Sequence, residues 1–258
     1  MINNPVIDAM LRRKSIRKYT EQTPSDETIE AVVRAGQQAP FAAQLYSVLL
    51  SRRRDKHPFK APLLFTICVD FHKLEKIMAR RNWQMVTNNL TMMLFGIQDA
   101  TLVAQNMVMA AESVGMGSCF LGMFPKMIEK IVNEYKLPPR VFPLVRLTMG
   151  YPAENPPPRP RYPLDYVLFE DRYGDLDDDT IKKAMAAMDD GYLAQDYYRA
   201  ANYIIPLESG RQEAHTFTNY SWTEHISRKW GQWDASPDEM LKQFEKCGIA
   251  IPGSDQPG

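Results

Sequence analysis

Apolar residues recur along this chain with two spacings, and each spacing predicts its own elements. Asn4 before Pro5 reads as an N-cap with proline at the first helical position. The stretch "PVIDAMLRRK" then carries Val6, Met10 and Leu11 on one side and should end near Ser15. "TPSDETIEAVVRAGQQAP" predicts a second helix, capped by Thr23 or Ser25, acidic in its first turn and stopped by Pro40. "YSVLLS" and "PLLFTICVD" are short apolar runs rich in β-formers and read as buried strands. Residues 71–95 read as helical. In "GIQDATLVAQNMVMAAESVGMG" the pattern is apolar nearly all round. Between Gly96 and Gly122 only Asp99 and Glu112 carry carboxylates, and there is no Lys or Arg. That pattern predicts a buried helix, with Gly115 just past its end. "SCFLG" follows as a short strand, "PKMIEKIVNEY" as a helix opened by Pro125, and "VFPLVRLTMG" as another buried strand. "YPAENPPPRPRYP" is too proline-rich for either regular structure and predicts an extended surface loop.

The pattern changes beyond about residue 175. Amphipathic helices are expected over roughly 177–199 and 221–230, and a third opens at "SPDE" and closes at Gly248. Their apolar residues are large: Tyr192, Tyr197, Tyr198, Trp222, Trp230 and Trp233. The expected organisation is a core over 1–175 and a helical arm over 176–258, packed on its own body or on a partner subunit. Strands separated by helices in excess give an α+β class with a buried central helix.

Composition narrows the function classes. The 258 residues are enough for a sizeable core. Lys+Arg and Asp+Glu balance at 31 each, which argues against a protein that coats nucleic acid. The opening residues show no basic stretch followed by an apolar one, so no secretory leader is expected. No apolar run reaches the roughly 18 residues of a membrane span. Cys68, Cys119 and Cys247 are far apart, which supports neither a disulfide framework nor a zinc site and suits a reducing cytoplasm. His57, His72, His215 and His225 lack metal-ligand spacing, and no metal is expected. GxGxxG, GxxxxGK[ST] and GxSxG motifs are missing.

What remains is cationic. "RRKSIRKYT" packs five cations into seven positions, 12–18, at the end of the first helix. Arg13, Lys14, Ser15 and Arg17, with Arg159 and Arg161 of the proline-rich loop, have the guanidinium forks and hydroxyl that suit a phosphate. The same residues also read as cations complementing a helix C-terminus and as a solvated loop. Arg12 and Lys18 belong more naturally to that second description.

The order of segments adds to this. "RRKSIRKYT" is followed by a capped helix ending "QQAP", then "DATLVAQNMVMAAESVGMGS", "CFLG", a "KLPP" turn, "LTMGYPAENPPPRPRYP" and "VLFEDRY". This series, over roughly residues 8–173, resembles the nitroreductase family of FMN-dependent NAD(P)H oxidoreductases. "NYSWTEHISRKWG" also resembles the C-terminal arm of the family's NADPH-preferring branch. The resemblance implies a central mixed or antiparallel sheet with helices on both sides and a homodimer. It implies that Arg13, Lys14, Ser15 and Arg17 hold the FMN phosphate and ribityl chain, and that Arg159 and Arg161 close on the same phosphate. Pro40, Phe41, Ala42 and Gln44 would lie along the flavin. Phe120, Leu121, Gly122 and Met123 would run behind its ring, with the Gly122 backbone near N5. Arg211, His225, Arg228 and Lys229 are the candidates for the NADPH 2′-phosphate.

The implied chemistry belongs to the flavin, with no side-chain acid or base required. Hydride comes from NAD(P)H in a ping-pong order, and a small-molecule electron acceptor follows: a nitroaromatic, a quinone or a flavin. Two departures bear on substrate choice. Phe41, Ala42 and Ala43 replace small hydroxyl residues, and "SRRRDKHPFKAP" joins two strands without the longer insert of relatives. The altered 40–44 wall leaves room for reductive dehalogenation or enoate reduction. A flavin-binding carrier or sensor without useful turnover is the alternative of another class.

Overall fold

The computed structural model describes residues 4–122, 125–208, 210–233 and 236–251. Two compact units make up the chain. The first is formed by 1–156 together with 236–258, and the second by 157–235. The boundary expected at 175/176 therefore lies elsewhere, for reasons the last helix supplies below.

The first unit opens with α1 (Pro5–Arg12), where the Asn4 side chain accepts from the backbone N–H groups of Val6 and Ile7. α2 (Asp26–Gln37) is capped by Ser25, whose Oγ accepts from Thr28 N at 3.1 Å. β1 (Tyr46–Ser51) and β2 (Leu63–Asp70) follow, then α3 (His72–Arg80) and α4 (Asn89–Ser113). β3 (Gly117–Leu121), α5 (Pro125–Tyr135) and β4 (Val141–Gly150) complete the run. Among the described residues the sheet has four strands in the order β1-β2-β4-β3, and every pair is antiparallel. The β2–β4 register shifts at Ile67/Cys68, leaving Cys68 opposite Pro143. A bulge there is what lets a proline sit in a central strand.

Residues 71–95 are not one helix. α3 stops at Arg80, Asn82 takes a positive φ of 60°, and α4 begins afresh behind the Asn88 cap, whose side chain accepts from Thr91 N at 2.9 Å. α4 runs 25 residues without interruption, straight through Gly96. Gly96 does not break it because that position lies against β2. A Cβ there would sit 2.4 Å from Val69 Cγ1 and 3.2 Å from the Phe71 ring, so only glycine allows so close an approach. Gly36 plays the same part between α2 and Met107 of α4.

The central helix is buried on one side only. Met93, Ala100, Val103, Ala104, Met107, Val108 and Ala111 join the core with Phe65, Ile67 and Val69 of β2. Leu90, Leu94, Phe95 and Leu102 remain exposed at 53, 57, 43 and 42%. On α1, Val6, Met10 and Leu11 are likewise exposed. The expected buried central helix is found, and in a single chain it also presents a second, uncovered apolar face. No helix of the described residues is long and apolar enough to cross a membrane.

α5 covers the other face of the sheet, which alternation along β2 assigns to Leu64 rather than to Phe65. Later in sequence, α9 (Pro237–Lys246) returns to pack against α5. Phe244 stacks tilted on Phe142 at 4.5 Å, and Cys247 and Ile249 are buried. Arg140 N donates to Cys247 O at 2.6 Å. These contacts assign residues 236–251 to the first unit. The second unit holds α6 (Asp178–Ala194), α7 (Tyr197–Ala200) and α8 (Trp222–Gln232). Its centre is aromatic. Tyr198 and Tyr220 are buried, and Trp222 meets Tyr162 edge-on at 5.4 Å.

Candidate functional site

The basic segment is not a loose helix terminus. After α1 the chain turns extended and runs parallel to the start of β3, where Ser15 pairs with Ser118 and Ile16 N donates to Ser118 O at 2.8 Å. Ile16 is buried against Gly117, where a Cβ would meet the Ile16 side chain at 2.4 Å. Ser15 and Arg17 flank Ile16 and so leave on the opposite side. Tyr19 locks the far end. Its hydroxyl donates to Ile16 O at 2.7 Å and lies 2.8 Å from Thr148 Oγ1, and burial raises its pKa. The carboxylate of Glu154 accepts from Arg17 N and from Lys18 N, the latter at 3.0 Å. Ala153 N donates to Lys18 O, and Thr20 N to Tyr151 O, both at 2.9 Å.

With the backbone held, the cations are presented as a group. Arg13, Lys14 and Ser15 are half-buried, while Arg17 and Lys18 are exposed. Lys14 Nζ donates to the Asn155 side chain. Among the described residues the guanidinium groups of Arg13 and Arg17 make no hydrogen bond or ion pair with the protein. Beneath them lies Glu112 of α4. Burial pushes its pKa up, and the charges of Arg13 and Lys14 pull it back down. Two forks, an ammonium and a hydroxyl within five residues are a donor set suited to a terminal phosphate.

Phe120 and Leu121 end β3, followed by Gly122. Phe120 and Gly122 are exposed and Leu121 is half-buried. Leu121 stands three residues beyond Ser118, about 10 Å along the strand. Open space surrounds the position a Gly122 Cβ would take. Met123 lies outside the described residues.

Pro40, Phe41, Ala42 and Gln44 are exposed, on a loop fixed by Asp99. This fully buried carboxylate on α4 accepts from Ala42 N at 2.6 Å, Ala43 N at 3.1 Å and Leu45 N at 2.9 Å. Gln44 takes a positive φ of 54° within that turn. Asp99 lies thirteen residues from Glu112 on one straight helix, which is about 20 Å along its axis. Within one chain, therefore, the 40–44 loop is not brought beside Arg13–Arg17. Sequence reasoning gave no role to Asp99, Glu154, Tyr19 or Gly117. Asp99 was marked only as one of two carboxylates in an apolar segment.

In the second unit, the Arg159 guanidinium donates to Gln195 Oε1 at 2.7 Å and stacks 3.9 Å above the Tyr197 ring. Arg161 donates to the carbonyls of Arg159 and Pro160 and is exposed. The four cation candidates of the arm divide. Arg211 and Lys229 are exposed, Lys229 within 6 Å of the Trp230 and Trp233 rings. Arg228 is 4% exposed. It donates twice to Glu213, at 2.7 and 2.8 Å, and also to Glu224 at 2.7 Å and Ile205 O at 2.8 Å. A buried guanidinium so occupied has no fork left for a ligand, so its assignment to the 2′-phosphate is corrected: Arg228 holds the arm together. His225 is corrected as well. It stacks on Tyr198 at 4.6 Å and lies 3.1 Å from the Tyr220 hydroxyl, and burial followed by the Lys229 charge lowers its pKa. A ring so placed is disfavoured as a cation.

The profile of the nitroreductase family matches residues 10–57 and 49–151. The oxygen-insensitive NADPH nitroreductase of Salmonella typhimurium is 27% identical over 87% of this chain and 90% of its own length. The FMN reductase (NADPH) of Bacillus subtilis is 29% identical over 76% of this chain and 84% of its own. Among solved structures, that of B. megaterium NfrA1 superposes with a TM-score of 0.79 at 27% identity, covering 95% of this chain and 99% of that one. With the family profile spanning more than half of its length, the chain belongs to the nitroreductase family.

Proposed function

We propose that the chain is an FMN-dependent NAD(P)H oxidoreductase that reduces nitroaromatics, quinones or flavins. The observation that carries this reading is the clamped segment Arg13–Arg17 with the end of β3 about 10 Å beyond it. A five-carbon chain ending in a phosphate ester has that length. Arg13, Lys14, Ser15 and Arg17 hold the phosphate, and Phe120, Leu121 and Gly122 back the ring, with the Gly122 N–H directed to N5. The chemistry such a site hosts is two-electron transfer through the flavin, with NAD(P)H entering first and the acceptor following in the same space. What this chain contributes is placement: a fixed backbone, cations that hold an anion, and an open approach at Gly122.

The working form is read as a homodimer. The bare apolar stripe of α4 and that of α1 are the support, together with the separation of the 40–44 loop from the basic segment. In a symmetric pair, Pro40, Phe41, Ala42 and Gln44 of one copy complete the site of the other. All three cysteines are free and buried, which suits a reducing cytoplasm. The test is the absorption spectrum and an FMN titration of the purified protein, with sedimentation to give its mass. About one FMN per chain in a dimer is expected. A colourless protein that takes up no FMN overturns the reading, and slow reoxidation by every acceptor would favour the carrier instead.

A further inference from the structure

On the α5 face of the sheet a cavity of about 740 Å³ opens between α5, the β1–β2 connection and the middle of β4. None of residues 13–17 lines it. At its floor stands Arg146, on a central strand opposite Thr66 and Leu121. Arg146 is half-buried, and its Nε is fully buried without a hydrogen-bond partner among the described residues. Burial lowers its pKa, and the neighbouring Tyr135 and Glu134 pull it partly back up. Arg53, Lys56 and Lys130 also line the space, so four cations face two carboxylates, Asp55 and Glu134. Glu134 is already paired with Arg53. The His57 ring lies 2.8 Å from both Ser51 Oγ and Ala61 O, and burial lowers its pKa, which disfavours a further charge there. The remaining wall is apolar, with Leu64 and Ile131 facing the floor.

A half-buried guanidinium with an unpartnered Nε, in a cavity with excess positive charge and apolar residues in its wall, is a receptor for an oxyanion carried on an apolar body. We propose that this cavity binds a small organic carboxylate, its anionic end on the Arg146 guanidinium and its body against Leu64 and Ile131. The apolar wall selects such a ligand over inorganic phosphate, which has the charge and lacks the body.

The probe is hexanoate, titrated by calorimetry into the purified protein, with the Nε–H resonance of Arg146 followed by NMR and assigned by its loss in Arg146→Gln. Saturable binding is expected, with a shift of that resonance. Arg146→Gln should weaken binding by about tenfold or more, the worth of one charge-assisted bond. Lys130→Glu, on an exposed position at the rim, should weaken it several-fold without touching the floor, so the proposal does not depend on one variant folding. Arg17→Ala should leave hexanoate binding unchanged. The proposal is overturned if the Arg146 resonance does not move, or if Arg146→Gln and Lys130→Glu bind hexanoate like the parent. It is equally overturned if Arg17→Ala abolishes binding, or if phosphate binds as tightly as hexanoate.

Discussion

Asp99 shows how one residue can carry a loop. Its two oxygens accept three backbone N–H groups from residues 42, 43 and 45, in a place from which water is excluded. Asn at this position keeps the shape but turns an N–H₂ toward a donor. Asp99→Asn should lower stability by about 2 kcal/mol or more, the loss of one charge-assisted bond plus an unpaired N–H. Urea denaturation measures this, and an unchanged midpoint would mean the loop is held by something else. The basic segment gives a second comparison at the same scale. Arg17→Ala should weaken FMN binding by about 1.5–3 kcal/mol, the worth of a hydrogen bond to a charged group. Lys18→Ala should cost far less, as for a solvated charge. Equal losses in a fluorescence titration would show that the phosphate lies elsewhere. Asp99 and Glu154 were present in the sequence as carboxylates, yet their partners lie 54–57 and 136–137 residues away. A side chain that binds distant backbone leaves no local spacing to read.

At the scale of elements, the patterns that depend on near neighbours were legible and those set by contact were not. Caps, turn residues and alternation placed α1, α2, α5 and all four strands, because an N-cap or a buried strand is written in a few adjacent residues. The helical run through Gly96 was not, since it depends on β2 lying beneath. The α4 pattern, apolar nearly all round, was read as burial, while in one chain only one of its two apolar faces is covered. Gly96→Ala separates propensity from packing. In an isolated helix alanine gains about 1 kcal/mol over glycine. Here its Cβ would overlap Val69, and overpacking costs about 1–3 kcal/mol. A net loss in thermal or chemical denaturation is expected, and a gain would mean that β2 yields easily.

At the scale of the whole molecule the two units respond to different variables. In the second, hydrogen bonds from Arg228 and then from His215 N hold the Glu213 pKa down to about 2, from a usual 4.5. A carboxylate favoured in its charged form stabilises the fold above 4.5, and that contribution is lost as pH falls toward 2. Tryptophan emission from Trp222, Trp230 and Trp233 should therefore change across that window, and Glu213→Gln should remove the dependence; a profile unaltered by the substitution counts against the Arg228 cluster as the cause. The same cluster separates the nicotinamide candidates. Arg211→Ala should narrow any NADPH preference in kcat/KM, whereas Arg228→Ala should unfold the arm, seen by circular dichroism. The first unit is subject to a constraint of timing. Its sheet is complete at β4, yet α9 and buried Ile249 are encoded only after the 79 residues of 157–235. At a synthesis rate of about 5–20 residues per second, the α5 side of a nascent core waits roughly 4–16 s for its last helix. During that interval Phe142 and Ile128 lack part of their final cover, so a newborn chain is a client for holding chaperones even though the finished unit is compact.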